Sequence, residues 1–257
     1  MNSLFFTKPK ANTFECLKFL CEQGEKILGV VIYDSPKYSG DSFCNFCRER
    51  QIRIYNGDEV YSDLNIFREK LDVIYVNTYP KLIRSVLIDT AKKGAFNFHM
   101  APLPKYRGVF GFNFAIYNRE KQYGVTVHRL SDQFDRGDII EVDWFDINPD
   151  RITVKKLVEL SEKHLFELFQ RTYFRIKKGE KINYHKQEDG KYYSRTDFEN
   201  LKQIQDTDTG DIIRRKIRAF WYPPYEGAYI ALDGERYCLV TEELLKLYDE
   251  SEKNHEQ

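Results

Sequence analysis

The chain has 257 residues, with 40 lysines and arginines against 40 aspartates and glutamates, so its formal charge is zero at pH 7. Hydrophobic residues at 42% and charged residues at 31% suffice for one large domain, or one plus a small appendage, beneath a hydrophilic surface. The balanced charge, with basic residues scattered among acids, excludes a protein built mainly to grip nucleic acid. No stretch approaches the ~20 apolar residues of a membrane span, and residues 1–12 lack the apolar run of a signal peptide.

In chain order, residues 3–7 read as a first strand. Residues 13–23 read as a helix, with Phe14, Leu17 and Leu20 at helical spacing and Asn12 or Thr13 as cap. The intervening loop, 7–12, lacks the Gly-x-Gly-x-x-Gly that admits a dinucleotide pyrophosphate. Residues 27–33 form an apolar run suited to a buried parallel strand. A helix is expected over 42–50, a strand over 52–55, a helix over 62–70 and a strand over 72–77. This alternation predicts an α/β fold, a Rossmann-like, mostly parallel sheet with helices on both faces. Cys44 and Cys47 form a Cys-x-x-Cys without a second ligand pair for zinc, and they read as packing residues. Five cysteines, an odd number without disulfide spacing, fit a reducing, cytoplasmic setting.

The next strand begins at Phe96. Side chains alternate along a strand, so Asn97 and His99 share one face and Phe96 and Phe98 the other. An amide beside an imidazole can serve a reacting carbonyl, the one stabilising an oxyanion and the other moving a proton. Prolines 102 and 104 and Gly108 then turn the chain, and Arg107 with Lys105 can meet an anionic group. A helix follows over 110–118. Residues 123–130 alternate again, with Thr126 and His128 on one face. The loop after them carries Asp132, Asp135 and Asp138 beside Gly137, and any of these carboxylates can orient or charge an imidazole. Taken singly, an Asn-x-His is an ordinary polar face and an Asp-rich loop an ordinary turn. Together they converge on one chemistry.

Residues 141–147 read as a strand and 153–179 as the longest helix, with His164 on its surface. Beyond Gly179 the pattern shortens. Brief strands are expected at 182–185, 192–194, 229–232 and 237–240, with a hairpin turn at 232–235, a helix over 212–220 and a frayed polar end at 249–257. Residues 1–179 are thus expected to form the main domain and 180–257 a small C-terminal lobe of short strands and a helix.

The series Asn-x-His at 97–99, Leu-Pro-Lys-Tyr-Arg-Gly at 103–108, Gly-Val-Thr-x-His at 124–128 and Asp-x-Gly-Asp-Ile at 135–139 resembles the formyltransferases that use 10-formyltetrahydrofolate. The resemblance spans about residues 71–147. A weaker one over 217–228 points to nucleotide-sugar N-formyltransferases. Met100 departs from the proline that many relatives carry after the histidine. The resemblance implies Asn97, His99 and Asp135 as catalytic residues, with Tyr79, Leu82, Ile83 and Asp132 beside the folate and no metal. It implies Lys81, Lys105, Tyr106, Arg107, Trp221, Tyr222 and Tyr225 as substrate contacts. Expected partners are 10-formyltetrahydrofolate and a nucleotide-linked amino sugar for surface polysaccharide, O-antigen or capsule synthesis; a homodimer is compatible with it. Methionyl-tRNA formylation, and a non-catalytic folate or nucleotide-sugar binder, are the alternatives. The Asn97, His99 and Asp135 set disfavours the binder.

Overall fold

Residues 4–6, 30–32 and 73–75 are buried without alternation, as a parallel sheet covered on each side requires. In the computed structural model, which describes residues 1–253, these runs form the centre of the sheet. Its first elements are β1 (Asn2–Thr7), α1 (Ala11–Glu22), β2 (Lys26–Ile32), α2 (Ser42–Glu49), β3 (Ile54–Asn56), α3 (Leu64–Lys70) and β4 (Val73–Asn77). A short α4 (Ser85–Ile88) leads to β5 (Gly94–His99), β6 (Arg107–Gly108), α5 (Gly111–Tyr117), β7 (Gln122–Arg129) and β8 (Ile139–Asp146). The long α6 (Val154–Lys177) precedes β9 (Tyr192–Tyr193), α7 (Arg195–Lys202), α8 (Gly210–Phe220), β10 (Tyr229–Leu232), β11 (Glu235–Cys238) and α9 (Glu242–Lys253).

Seven strands make one sheet in the order β3-β2-β1-β4-β5-β7-β8. The pairs from β3 through β5 are parallel, and β7 joins β5 antiparallel. Alternate residues of the central strands feed two cores. Phe5, Tyr75 and Phe98 meet Phe169 of α6, and Phe19 of α1 packs edge-on against Phe169 and Tyr173. Leu4, Phe6, Ile74 and Val76 form the other core with Phe67, Ile83 and Leu87. Each such buried side chain contributes about 1.5–3 kcal/mol relative to exposure.

The chain packs as two compact units. One comprises Met1–Pro104, Val125–Asp143 and Glu162–Asp189; the other comprises Lys105–Gly124, Trp144–Ser161 and the chain from Gly190. Residue 179 therefore marks no boundary between them. The reason lies in the second unit, where Asn113 of α5 donates to Ala219 O of α8 at 2.7 Å and Arg119 pairs with Asp150 at 2.7 Å.

Several elements differ from expectation. The first helix starts two residues early, and its N-cap is Lys10, whose N–H donates to Thr13 Oγ1. The helix expected over 62–70 opens as a 3₁₀ segment, Gly57–Asp63. The strand expected over 182–185 is a single bridge between His185 and Ile139. Residues 195–202 form a helix capped by Ser194, which accepts from Asp197 N–H at 3.1 Å. The polar end expected to fray at 249–257 is helical to Lys253, and 254–257 lie outside the described residues. Among the described residues, no helix is long and apolar enough to cross a membrane.

Candidate active site

The alternation of β5 holds in the structure: Phe96 and Phe98 are buried, while Asn97 and His99 are half-buried on the opposite face. Antiparallel pairing with β7 sets Asn97 directly opposite His128, and His99 opposite Thr126. Directly opposed residues in such a ladder share a face with Cβ atoms about 4.5–5.5 Å apart. The register therefore brings Asn97 Nδ2 to 2.9 Å from His128 Nε2. Thr126 Oγ1 donates to Ala101 O at 2.8 Å and accepts from Leu103 N–H at 3.0 Å, which ties down the chain just after His99.

The proton on His128 is fixed by its neighbours. Its Nδ1 lies 2.8 Å from Arg129 O, which can only accept, so Nδ1 carries the hydrogen. Nε2 is then the acceptor of one Asn97 amide hydrogen. Burial pushes the His128 imidazole down from the ordinary 6.5 to about 4, with nearby Asp135 opposing and His99 assisting. His128 is thus neutral at pH 7, and it orients the carboxamide. The second Asn97 amide hydrogen faces Asp135 Oδ1 at 3.5 Å, a loose contact that can be exchanged for a better acceptor.

Asp135 comes from the loop between β7 and β8. Its Oδ1 is 3.6 Å from His99 Nδ1 and 3.8 Å from His128 Nε2. The loop closes through Arg129 N–H donating to Asp138 O at 2.9 Å. Gly137 is needed there, because a Cβ would fall 1.7 Å from Arg129 O. Asp135 has φ of 52°, in the left-handed region that aspartate tolerates better than most residues. The side chains of His99 and Asp135 keep 15% and 13% exposure, so the group is reachable from solvent.

The structure therefore brings Asn97, His99 and Asp135 together and adds His128, which the sequence placed on a face but gave no part. Asp132 is exposed on the same loop. After β4, Tyr79 is half-buried with its ring 5.1 Å from Phe6, Leu82 is 45% exposed, and Lys81 Nζ lies 4.4 Å over the Tyr33 ring. Ile83 is buried in the core, so only its backbone can face a ligand, a correction to its expected side-chain role.

The remaining expected substrate contacts belong to the second unit. Tyr106 is 2% exposed, stacks on Tyr193 and donates to Glu120 Oε1 at 2.8 Å. It is a core residue, which corrects its expected role. Arg107 is likewise buried at 1% exposure, and Lys105 pairs with Glu120 at 2.7 Å. Trp221 and Tyr222 are half-buried, and Tyr225 is 68% exposed with its ring 5.4 Å from that of Tyr222. Cys44 and Cys47 are buried on α2, and burial raises both thiols, Cys47 to about 12, as inert packing thiols require.

Known proteins resemble this chain over most of its length. A methionyl-tRNA formyltransferase of Thermotoga neapolitana is 28% identical over 245 residues, 88% of this chain and 74% of that protein. Two solved structures share the fold. A 4-N formyltransferase from Francisella tularensis has a TM-score of 0.75 at 21% identity, covering 93% of this chain and 97% of its own. WlaRD, a sugar 3N-formyl transferase solved in the presence of dTDP and 5-N-formyl-THF, has a TM-score of 0.72 at 24% identity, covering 92% and 84%. Residues 57–167, which carry Asn97, His99, His128 and Asp135, match the Formyl transferase family pattern.

Proposed function

We propose that the protein transfers a formyl group from 10-formyltetrahydrofolate to the amine of a nucleotide-linked amino sugar. The observation that carries this reading is the convergence of Asn97, His99 and Asp135, with His128 holding the carboxamide. The folate fits the residues after β4: exposed Leu82 and half-buried Tyr79 offer an apolar edge to a flat ring, and Ile83 offers backbone polar groups. That co-substrate supplies a one-carbon unit already activated for transfer to nitrogen.

The protein's own groups do the rest. The loosely held Asn97 amide hydrogen turns to the formyl oxygen as that oxygen gains negative charge. Such a donor is worth roughly 10²–10³ in rate at comparable acyl-transfer sites. His99 is the second donor. Asp135, with Oδ1 3.6 Å from His99 Nδ1, holds that ring and accepts the proton released by the attacking amine, directly or through water, and that proton passes to the folate nitrogen as tetrahydrofolate leaves.

The choice of a sugar acceptor is supported by the two solved neighbours, whose descriptions name a sugar 3N-formyl transferase with dTDP and a 4-N formyltransferase. The second reading, methionyl-tRNA formylation, is favoured by the 28% identity to a tRNA enzyme over most of the chain. The formal charge of zero weighs against it. Incubating the protein with 10-formyltetrahydrofolate and dTDP-, GDP- or UDP-linked amino sugars, in parallel with methionyl-tRNA, separates the two by mass spectrometry. Formylation of the tRNA alone would overturn the sugar assignment.

A further inference from the structure

Gln187 lies beyond α6, in a stretch to which the sequence pattern gives no role. Its Nε2 donates to two backbone carbonyls of the β7–β8 loop, Asp135 O at 3.0 Å and Gly137 O at 2.6 Å. One amide thus bridges the carbonyls of the two residues that flank Arg136. The same stretch makes further contacts with this loop. Ile139 and His185 exchange both of their backbone hydrogen bonds, at 2.9 and 3.0 Å. Arg136 Nη1 stands 3.6 Å from Asp189 Oδ1. Residues 185–189 therefore form a strap along 135–139.

What the strap holds is a conformation the loop does not favour by itself. Asp135 is in the left-handed region, and Gly137 packs against Arg129 O with no room for a side chain. The Asp135 carboxylate must nevertheless sit within reach of both His99 and His128. Displacing a catalytic group by about 1 Å can cost ~10²-fold in rate.

We infer that Gln187 is a positioning residue: by gripping the carbonyls of Asp135 and Gly137 it fixes the Asp135 carboxylate against His99. Its catalytic consequence rests on the formyl-transfer reading; its structural consequence does not.

Two variants test it. Gln187→Met keeps the length of the side chain and removes both donors. Gln187→Glu keeps the shape and turns acceptor oxygens toward two carbonyls. In Gln187→Met without substrate, amide hydrogen exchange at Arg129, Ile139 and His185, whose N–H groups donate within this loop and strap, rises about tenfold or more, while α6 keeps its protection. In the formyl-transfer assay, kcat falls roughly 10- to 100-fold with KM for the amino sugar within about threefold. Gln187→Glu loses at least as much. In an Asp135→Asn background, Gln187→Met lowers the residual rate by less than about twofold, because no carboxylate remains to be positioned. Unchanged loop exchange and kcat in Gln187→Met would refute the inference, as would a full additional loss on top of Asp135→Asn. Should the wild-type protein formylate no amine, the functional reading fails alone, and the exchange measurement still decides whether Gln187 clamps the loop.

Discussion

His128 makes the folded protein sensitive to acid in a calculable way. Its imidazole is buried at 2% exposure and its pKa falls from the ordinary 6.5 to about 4. Because the folded value lies below the unfolded one, the unfolded chain holds a proton between those pH values that the native state refuses. Stability is therefore complete above 6.5 and is lost as pH falls through the window from 6.5 to 4. At ~1.4 kcal/mol per pH unit, this single group removes about 2 kcal/mol between pH 7 and 5, and about 3 kcal/mol by pH 4. Gln at this position has a donor and an acceptor but no proton to gain. Urea denaturation of wild type and His128→Gln, followed by the fluorescence of Trp144 and Trp221, isolates the effect. The variant is the less stable protein at pH 7, and its deficit shrinks by about 2 kcal/mol at pH 5. Two stability profiles running parallel from pH 7 to 5 would mean that His128 accepts a proton in the native state, and the orientation assigned to Asn97 would fall with it.

Five further substitutions follow from the same geometry. Asn97→Ala lowers kcat by roughly 10²–10³ with little effect on acceptor KM, read by steady-state kinetics. His99→Ala or Asp135→Ala abolishes turnover while nucleotide binding, measured by calorimetry, stays within about twofold; full activity in either variant would remove the catalytic assignment. Gly137→Ala forces the loop off Arg129 O, and both thermal stability and activity drop, since the clash at 1.7 Å is with backbone that cannot swing aside. Tyr106→Phe deletes the hydroxyl that bonds Glu120 and accepts from Asn118, costing about 1–2 kcal/mol in denaturant melts and leaving the amino-sugar KM unchanged. A raised KM would return Tyr106 to the substrate.

Much of the fold was legible because the signals were periodic. Continuous apolar runs at β2 and β4 announced buried parallel strands, and the alternation of 96–99 put Asn97 and His99 on one face. The Asp-rich loop after β7 was legible only as a turn by itself, and it pointed to chemistry only in combination with Asn97 and His99. The pairing partner of Asn97 was not. Strand register is a long-range property, and nothing local in 122–129 says that His128 rather than Thr126 lies opposite residue 97. Tyr106 was misread because its neighbours Lys105 and Arg107 suggested an anion site, whereas its ring fills the core beside Tyr193. Gln187 gave no signal, being one polar residue in a polar stretch. The interleaved units escaped prediction because 105–124 packs with residues some 100 positions later, as Asn113 and Ala219 show.

The antiparallel seam between β5 and β7 has a consequence for how the protein matures. The parallel strands from β3 to β5 can assemble from the first hundred residues, yet Asn97 would then have no imidazole to direct its amide. Competence for chemistry therefore requires β7 to be docked beside residue 97. During refolding, recovery of formyl transfer should lag the return of the far-ultraviolet dichroism, and the length of that delay would time the closing of one seam.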